Sequence, residues 1–293
     1  MKIAIIGGGS IGLLIGYYLS HHHHVTMMVR RDEQKDSIQS NNIKLKQASS
    51  LYESANVDAT LLKDIDSHFD LYIICVKQTH LKDTLSYIEK FSDTQPLLFL
   101  QNGMGHIETI QTYNQPVYIG VVSHGAHRSR DNVVSHLGNG MIKIASLTGK
   151  SDELNSLAQR LNQETFPIEL HNDWESLLKQ KLMINAVINP ITALFDVPNG
   201  KILTNKHLHY LAKELCKETA TVLQLSETDS WDEIVYVAEQ TKENVSSMRA
   251  DIQQGSKTEI EAITGYILKQ ALTKVPYSNF IYRAILALND ERI

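Results

Sequence analysis

The sequence predicts an N-terminal doubly wound, Rossmann-type α/β domain followed by an all-helical domain, and three observations carry that prediction. A glycine-rich turn follows an opening β-branched strand within residues 3–12. Continuous apolar runs bounded by turn signals recur as far as residue 146, the pattern of parallel strands covered on both faces. After Pro167 the texture changes to long helical patterns with few strand signals. The boundary is placed there, with residues 1–167 as one domain and 168–293 as the other.

Taking the elements in order, Ile3, Ile5 and Ile6 form a short strand that enters a turn made of Gly7, Gly8, Gly9, Ser10, Ile11 and Gly12. A helical apolar pattern follows through Leu13, Leu14, Tyr17 and Tyr18. Strand before and helix after is the context in which G-x-G-x-x-G signals dinucleotide binding. Gly7 permits the tight turn, Gly9 lets the backbone approach a pyrophosphate, and Gly12 lets helix and strand pack closely. The helix N-terminus then offers unpaired N–H groups to the phosphates. A secretory signal is the competing reading, because Lys2 precedes a mostly apolar stretch ending at Leu19. Three consecutive glycines, the histidines 21–24 and the lack of a small-residue cleavage site argue against it.

Val25 to Arg30 reads as the second strand, Asp70 to Lys77 as a buried one, and Pro96 to Gln101 as another, followed by a turn at Asn102-Gly103-Met104-Gly105. Val117 to Ser123 and Gly140 to Ser146 complete the parallel sheet. In the second domain Trp174 to Asn189 is expected to be one helix stopped by Pro190, with others near 204–225, 231–253 and 256–272.

The end of the second strand bears on the cofactor. Where an NAD-binding chain carries an acidic residue for the ribose 2′-hydroxyl, this one has Val29-Arg30-Arg31. A guanidinium there suits a 2′-phosphate, so NADPH is the expected cofactor. Arginines after a strand also simply face water. A two-residue shift would instead make Asp32 or Glu33 the ribose ligand.

Composition bounds the rest. At 293 residues, 42% hydrophobic and 21% charged, the chain is ordinary for a globular protein of two domains. A net charge of −5 argues against a nucleic-acid partner held by phosphate contacts. No apolar run reaches the ~18 residues of a membrane span. Cys75 and Cys216 are far apart and lack ligand spacing, so neither a disulfide framework nor a structural zinc site is indicated, and a reducing cytoplasm is expected. The four histidines 21–24 lie in a helix-to-strand turn without carboxylate or cysteine partners, and no functional metal is expected. Oligomeric state is not legible, and a homodimer stays open.

Lys181, Asn185 and Asn189 are spaced i, i+4, i+8 along one side of the first C-terminal helix. Their neighbours Leu182, Met183, Ile184, Ala186, Val187 and Ile188 leave that helix almost no face to give to water. Polar groups so placed are costly unless they meet partners or line a cleft. An ordinary solvated stripe is the plain alternative. For Glu259 the alternative is specific: Ser256-Lys-Thr-Glu259 before an apolar run is a capping box, which accounts for both residues without catalysis.

Several segments together resemble ketopantoate reductases, NADPH-dependent enzymes of pantothenate and coenzyme A biosynthesis. The matching stretches are Gly-Gly-Gly-Ser-Ile-Gly (7–12), Val-Lys77, Gln-Asn-Gly-Met-Gly (101–105), Lys-Leu-Met-Ile-Asn-Ala-Val-Ile-Asn-Pro (181–190), Pro-Asn-Gly (198–200), Asn-Val-Ser-Ser-Met (244–248) and Thr-Glu-Ile (258–260). They run in family order over nearly the whole chain. The resemblance implies that Lys181 is the proton donor and binds substrate with Asn102, Asn185, Asn189, Asn199 and Ser247. It implies that residues Gly7 to Gly12, Lys77, Asn102, Ala126 and Glu259 bind the cofactor, with Arg30 at the 2′-phosphate. Two departures are the histidine run, where members usually show a shorter Gly-His, and Arg31, which doubles the arginine. Hydride would pass to C2 of ketopantoate while Lys181 protonates the oxygen. Rivals are a reductase of another 2-oxo acid and a non-catalytic NADPH-binding sensor, which would not need Lys181 and its companions.

Overall fold

The β-branched run at the start of the chain forms β1 (Lys2–Ile6), whose last four residues are buried. The structure, a computed structural model, describes residues 1–47, 50–53, 57–65, 68–89 and 94–292. They fall into two compact units. The first holds residues 1–101 and 107–177, the second 102–106 and 178–293. The chain therefore enters the second unit briefly at the Asn102 turn, long before it enters for good.

In the first unit β1 is followed by α1 (Ser10–Leu19), β2 (His24–Val29), α2 (Asp32–Asn41), β3 (Lys44–Gln47), β4 (Ser50–Glu53), β5 (Val57–Leu61) and β6 (Leu71–Ile74). Then come α3 (Leu81–Ile88), β7 (Leu97–Phe99), α4 (Ile107–Ile110), β8 (Val117–Val122), β9 (Gly125–Arg130), β10 (Val133–Gly138), β11 (Ile142–Ser146), α5 (Ser151–Leu161) and β12 (Ile168–Leu170). The main sheet has eight strands in the order β12-β11-β8-β7-β6-β1-β2-β5. From β1 the chain builds outward to β2 and β5, then returns to β6 and builds the other way. The order reverses beside β1, and the glycine turn leaves the carboxyl end of that strand, where open α/β sheets bind ligands.

The expectation of a wholly parallel sheet is corrected at one edge, since β11 runs antiparallel to β8. Sequence reading also missed a second sheet of four strands, β4-β3-β10-β9. Residues 127–132 of its β9–β10 hairpin are all polar, so no continuous apolar run announced it. Against this hairpin Phe166 stacks on Tyr18 and on His124. The Tyr18 hydroxyl lies 2.9 Å from Nδ1 of His136, whose Nε2 lies 3.1 Å from Nδ1 of His124. Burial lowers the pKa of both imidazoles, that of His124 to about 4, so both are neutral near pH 7.

The second unit is helical: α6 (Trp174–Leu194, its first turn belonging to the first unit), α7 (Lys201–Thr204), α8 (Lys206–Leu223), α9 (Glu227–Gln240) and α10 (Ser247–Gln253). A π-helical turn (Glu261–Gly265), α11 (Tyr266–Gln270) and α12 (Pro276–Arg292) complete it. Pro190 does not stop α6, contrary to expectation, and the helix continues to Leu194. Ile188, Ile191, Thr192 and Ala193 are buried past or beside the proline. Each large aliphatic so buried contributes roughly 1.5–3 kcal/mol, enough to offset one missing N–H.

The expected helix 231–253 is two helices. Ser246 caps α10 by accepting from the Arg249 amide, and the chain between Gln240 and Ser246 turns away. Near 204 the break is set by Asn205, whose side chain accepts from the amides of His207 and Leu208. The run 256–272 is likewise shorter, beginning only at Ile260.

A candidate nucleotide site and a candidate reduction site

Gly7 has φ +113, a conformation that side chains rarely adopt, and its amide donates to the Met28 carbonyl at 2.9 Å. Gly8 is glycine for a local reason: a Cβ there would lie 2.5 Å from the Gln34 amide nitrogen, which donates to the Gly8 carbonyl at 2.7 Å. Gly9 is different. A Cβ at Gly9 would meet no protein atom within 4 Å, so nothing in the fold demands glycine there. Gly9 also caps α1 without a side-chain hydrogen bond, leaving the first-turn N–H groups of Ser10 and Ile11 to another acceptor. Open space in front of uncapped amides fits a diphosphate, and it is the feature a dinucleotide needs.

Around this turn Arg30 is exposed, and no ion pair to it occurs among the described residues. It lies close enough to His80 to lower that imidazole's pKa, after the larger effect of burial, and Lys77 acts the same way. Arg30 and Lys77 therefore share one neighbourhood. Arg31 instead pairs with Asp131. Asp32 takes Lys35 at 3.3 Å, which turns it to a surface pairing. Ala126 sits on β9, opposite His136, packed against the core that also holds Ile11.

The remaining candidates lie in the second unit. Lys181, Asn185 and Asn189 follow one another along α6. Lys181 is half-buried, and desolvation pushes its pKa below the ordinary lysine value, partly opposed by the Glu233 carboxylate. Among the described residues no hydrogen-bond acceptor meets Lys181, and Asn185, only 6% exposed, makes no hydrogen bond either. Asn189 donates to the Ser247 hydroxyl at a long 3.4 Å. Asn199 donates to the Thr241 hydroxyl at 3.0 Å, while its buried Oδ1 has no partner. Thr241 was not anticipated, since nothing in a local pattern links it to Asn199.

Glu259 does not form the capping box. Residues 256–259 are not helical, and the Ile260 amide turns to the Thr258 hydroxyl at 3.4 Å. The Glu259 carboxylate accepts from Asn102 Nδ2 at 2.8 Å. Gly103, at φ +78, brings the Asn102 turn against the Ala262 carbonyl so closely that no Cβ would fit. Asn102 and Glu259, 157 residues apart, are thus joined directly. Because glutamine preserves the size of Glu259 but not its charge, Glu259→Gln is expected to lower activity with little change in melting temperature. Preserved turnover in that variant would return Glu259 to a structural role.

Two compact units, one with a glycine-rich turn at a helix start and one with a half-buried lysine beside underused amides, suit a hydride-transfer enzyme. Comparison with known proteins agrees. The family model "Ketopantoate reductase PanE/ApbA" matches residues 3–149, and its C-terminal counterpart matches residues 173–289. The 2-dehydropantoate 2-reductase of Bacillus subtilis (strain 168) is 42% identical over 98% of this chain and 97% of its own. The crystal structure of a probable 2-dehydropantoate 2-reductase from Bacillus subtilis superposes with a TM-score of 0.89 at 41% identity, covering 98% of this chain and 100% of that one. The ternary structure of D-mandelate dehydrogenase with NADH and anilino(oxo)acetate reaches 0.92 over 99% of each chain, but at 22% identity it shares the fold alone. With both parts of the family pattern present in order over nearly its whole length, the chain belongs to the ketopantoate reductase family.

Proposed function

We propose that this chain reduces 2-dehydropantoate (ketopantoate) to pantoate with NADPH, a cytoplasmic step of pantothenate and coenzyme A biosynthesis. Residues 1–167 serve as the NADP-binding domain and 168–293 as the helical catalytic domain. The observation that carries the reading is Lys181, half-buried and met by no hydrogen-bond acceptor among the described residues, on the same side of α6 as Asn185 and Asn189. A non-catalytic sensor has no use for it.

When bound, the reduced nicotinamide supplies a hydride to the carbonyl carbon, C2. Lys181 gives a proton to the carbonyl oxygen as negative charge develops there, leaving a hydroxyl on the substrate and a neutral amine on the enzyme. Solvent restores the proton. Its lowered pKa makes the ammonium a stronger acid, which favours transfer to the oxygen as negative charge develops there. Asn185, Asn189, Asn199 and Ser247 orient the carboxylate and hydroxyl of the substrate. Asn102 touches both substrate and cofactor, and Glu259, held by Asn102, meets the nicotinamide ribose. Gly7 to Gly12 take the diphosphate, Lys77 and Ala126 flank the cofactor, and Arg30 takes the 2′-phosphate.

The test is NADPH oxidation on addition of ketopantoate, with NADH as comparator. NADPH is expected to be used far better. Arg30→Ala should weaken NADPH much more than NADH, because only the former carries the group that Arg30 meets. Equal efficiency of both cofactors in the unmutated enzyme would overturn the NADPH assignment.

A further inference from the structure

We infer that Arg128, at the β9–β10 hairpin, is a second guanidinium reading the 2′-phosphate and so helps to set cofactor preference, an inference that rests on the NADPH reading above. Every contact in the argument lies within the first compact unit.

The hairpin brings Arg128 to the glycine turn by its backbone and its side chain. Its amide donates to the Ser10 hydroxyl at 3.0 Å. Its Nη1 lies 3.4 Å from the Gly8 carbonyl and 3.4 Å from a carboxylate oxygen of Asp131. That same oxygen receives Arg31 at closer range. Gln34, the buried amide of α2, donates to the Gly8 carbonyl at 2.7 Å and to the Asp131 backbone carbonyl at 2.9 Å. Glycine turn, start of α2 and hairpin tip are thereby tied together with Arg128 between them.

Charge then decides what Arg128 is for. One carboxylate, Asp131, faces two guanidiniums and sits nearer Arg31. Arg128 is left with two contacts at the outer limit of hydrogen-bond reach, both through Nη1, on a side chain 38% exposed. A guanidinium has five N–H donors in a planar fork, and among the described residues most of those of Arg128 are unused. A phosphate dianion takes such a fork in two parallel bonds.

Position separates the 2′-phosphate from the diphosphate. The diphosphate belongs in front of the α1 amides, at Gly9 to Gly12. From the edge of that turn, at the Gly8 carbonyl, Arg128 Nη1 also reaches Asp131, which holds Arg31, the residue after Arg30 at the end of β2. That strand end is where this fold meets the adenosine ribose 2′ position. Arg31, the cation that the sequence offered beside Arg30, is occupied by Asp131, and Arg128 takes its place.

Calorimetric titration of the full chain with 2′,5′-ADP and with 5′-AMP isolates the 2′-phosphate, since the two probes differ by that group alone. The unmutated protein should prefer 2′,5′-ADP. Arg128→Gln should raise the Kd for 2′,5′-ADP by ~10-fold or more and leave that for 5′-AMP nearly unchanged. Asp131→Asn, which removes the competing anion but keeps the backbone carbonyl that Gln34 uses, should tighten 2′,5′-ADP, a gain that misfolding cannot mimic. An undiminished preference for 2′,5′-ADP in Arg128→Gln would overturn the role of Arg128 and leave the NADPH reading standing. Equal weakening of both probes would make Arg128 a support of the glycine turn instead. No preference in the unmutated protein would remove the NADPH reading and this inference with it.

Discussion

Replacing Lys181 by alanine is expected to cut kcat by ~10² or more while leaving the fold and NADPH affinity intact. The loss follows from the ammonium's two tasks, donating the proton and stabilising the charge that develops on the substrate oxygen. Stopped-flow turnover measures the first effect, and fluorescence titration of NADPH checks the second. The pH profile gives an independent readout. A general acid must be protonated to act, so kcat/KM should fall as pH rises through the pKa of Lys181. Desolvation places that fall below the pH at which an ordinary lysine titrates. Near-normal turnover in Lys181→Ala, with cofactor binding unchanged, would reduce the stripe on α6 to a structural feature.

Substrate choice should show the larger effect. The deoxy analogue of ketopantoate, with the same branched skeleton but no terminal hydroxyl, is expected to react with a kcat/KM up to ~10⁴-fold lower. The reason lies in polar groups that the fold leaves short of partners. Among the described residues the Asn185 side chain makes no hydrogen bond and the buried Asn199 Oδ1 has no partner, while the Asn189–Ser247 contact is long. A ligand hydroxyl would relieve them, and its absence would leave them desolvated and unpaired, at roughly 1–3 kcal/mol each. Ser247→Ala should narrow the gap between the two substrates. Equal kcat/KM for both would leave a broad 2-oxo acid reductase in place of a ketopantoate reductase.

How much of this the sequence held depends on how far apart in the chain the interacting residues lie. Residues 3–19 were fully legible, because strand, turn and helix are encoded by neighbours within four positions of each other. The Lys181–Asn185–Asn189 stripe was visible for the same reason, as a helical period. Where the reading failed, a distant partner or a burial term had overruled a local signal. Pro190 reads as a stop, but buried Ile191 and Ala193 carry α6 past it. Ser256 to Glu259 reads as a capping box, but Asn102 takes the carboxylate from across 157 residues. Arg30 and Arg31 read alike until Asp131, 100 residues on, takes one of them.

The sequence by itself determined the fold class, the family and the candidate residues, since periodicity and turn chemistry are local properties of the chain. The tertiary structure decided which arginine Asp131 takes and what Glu259 accepts from. Those choices are made by desolvation and by hydrogen bonds between residues that become neighbours only when the chain has folded.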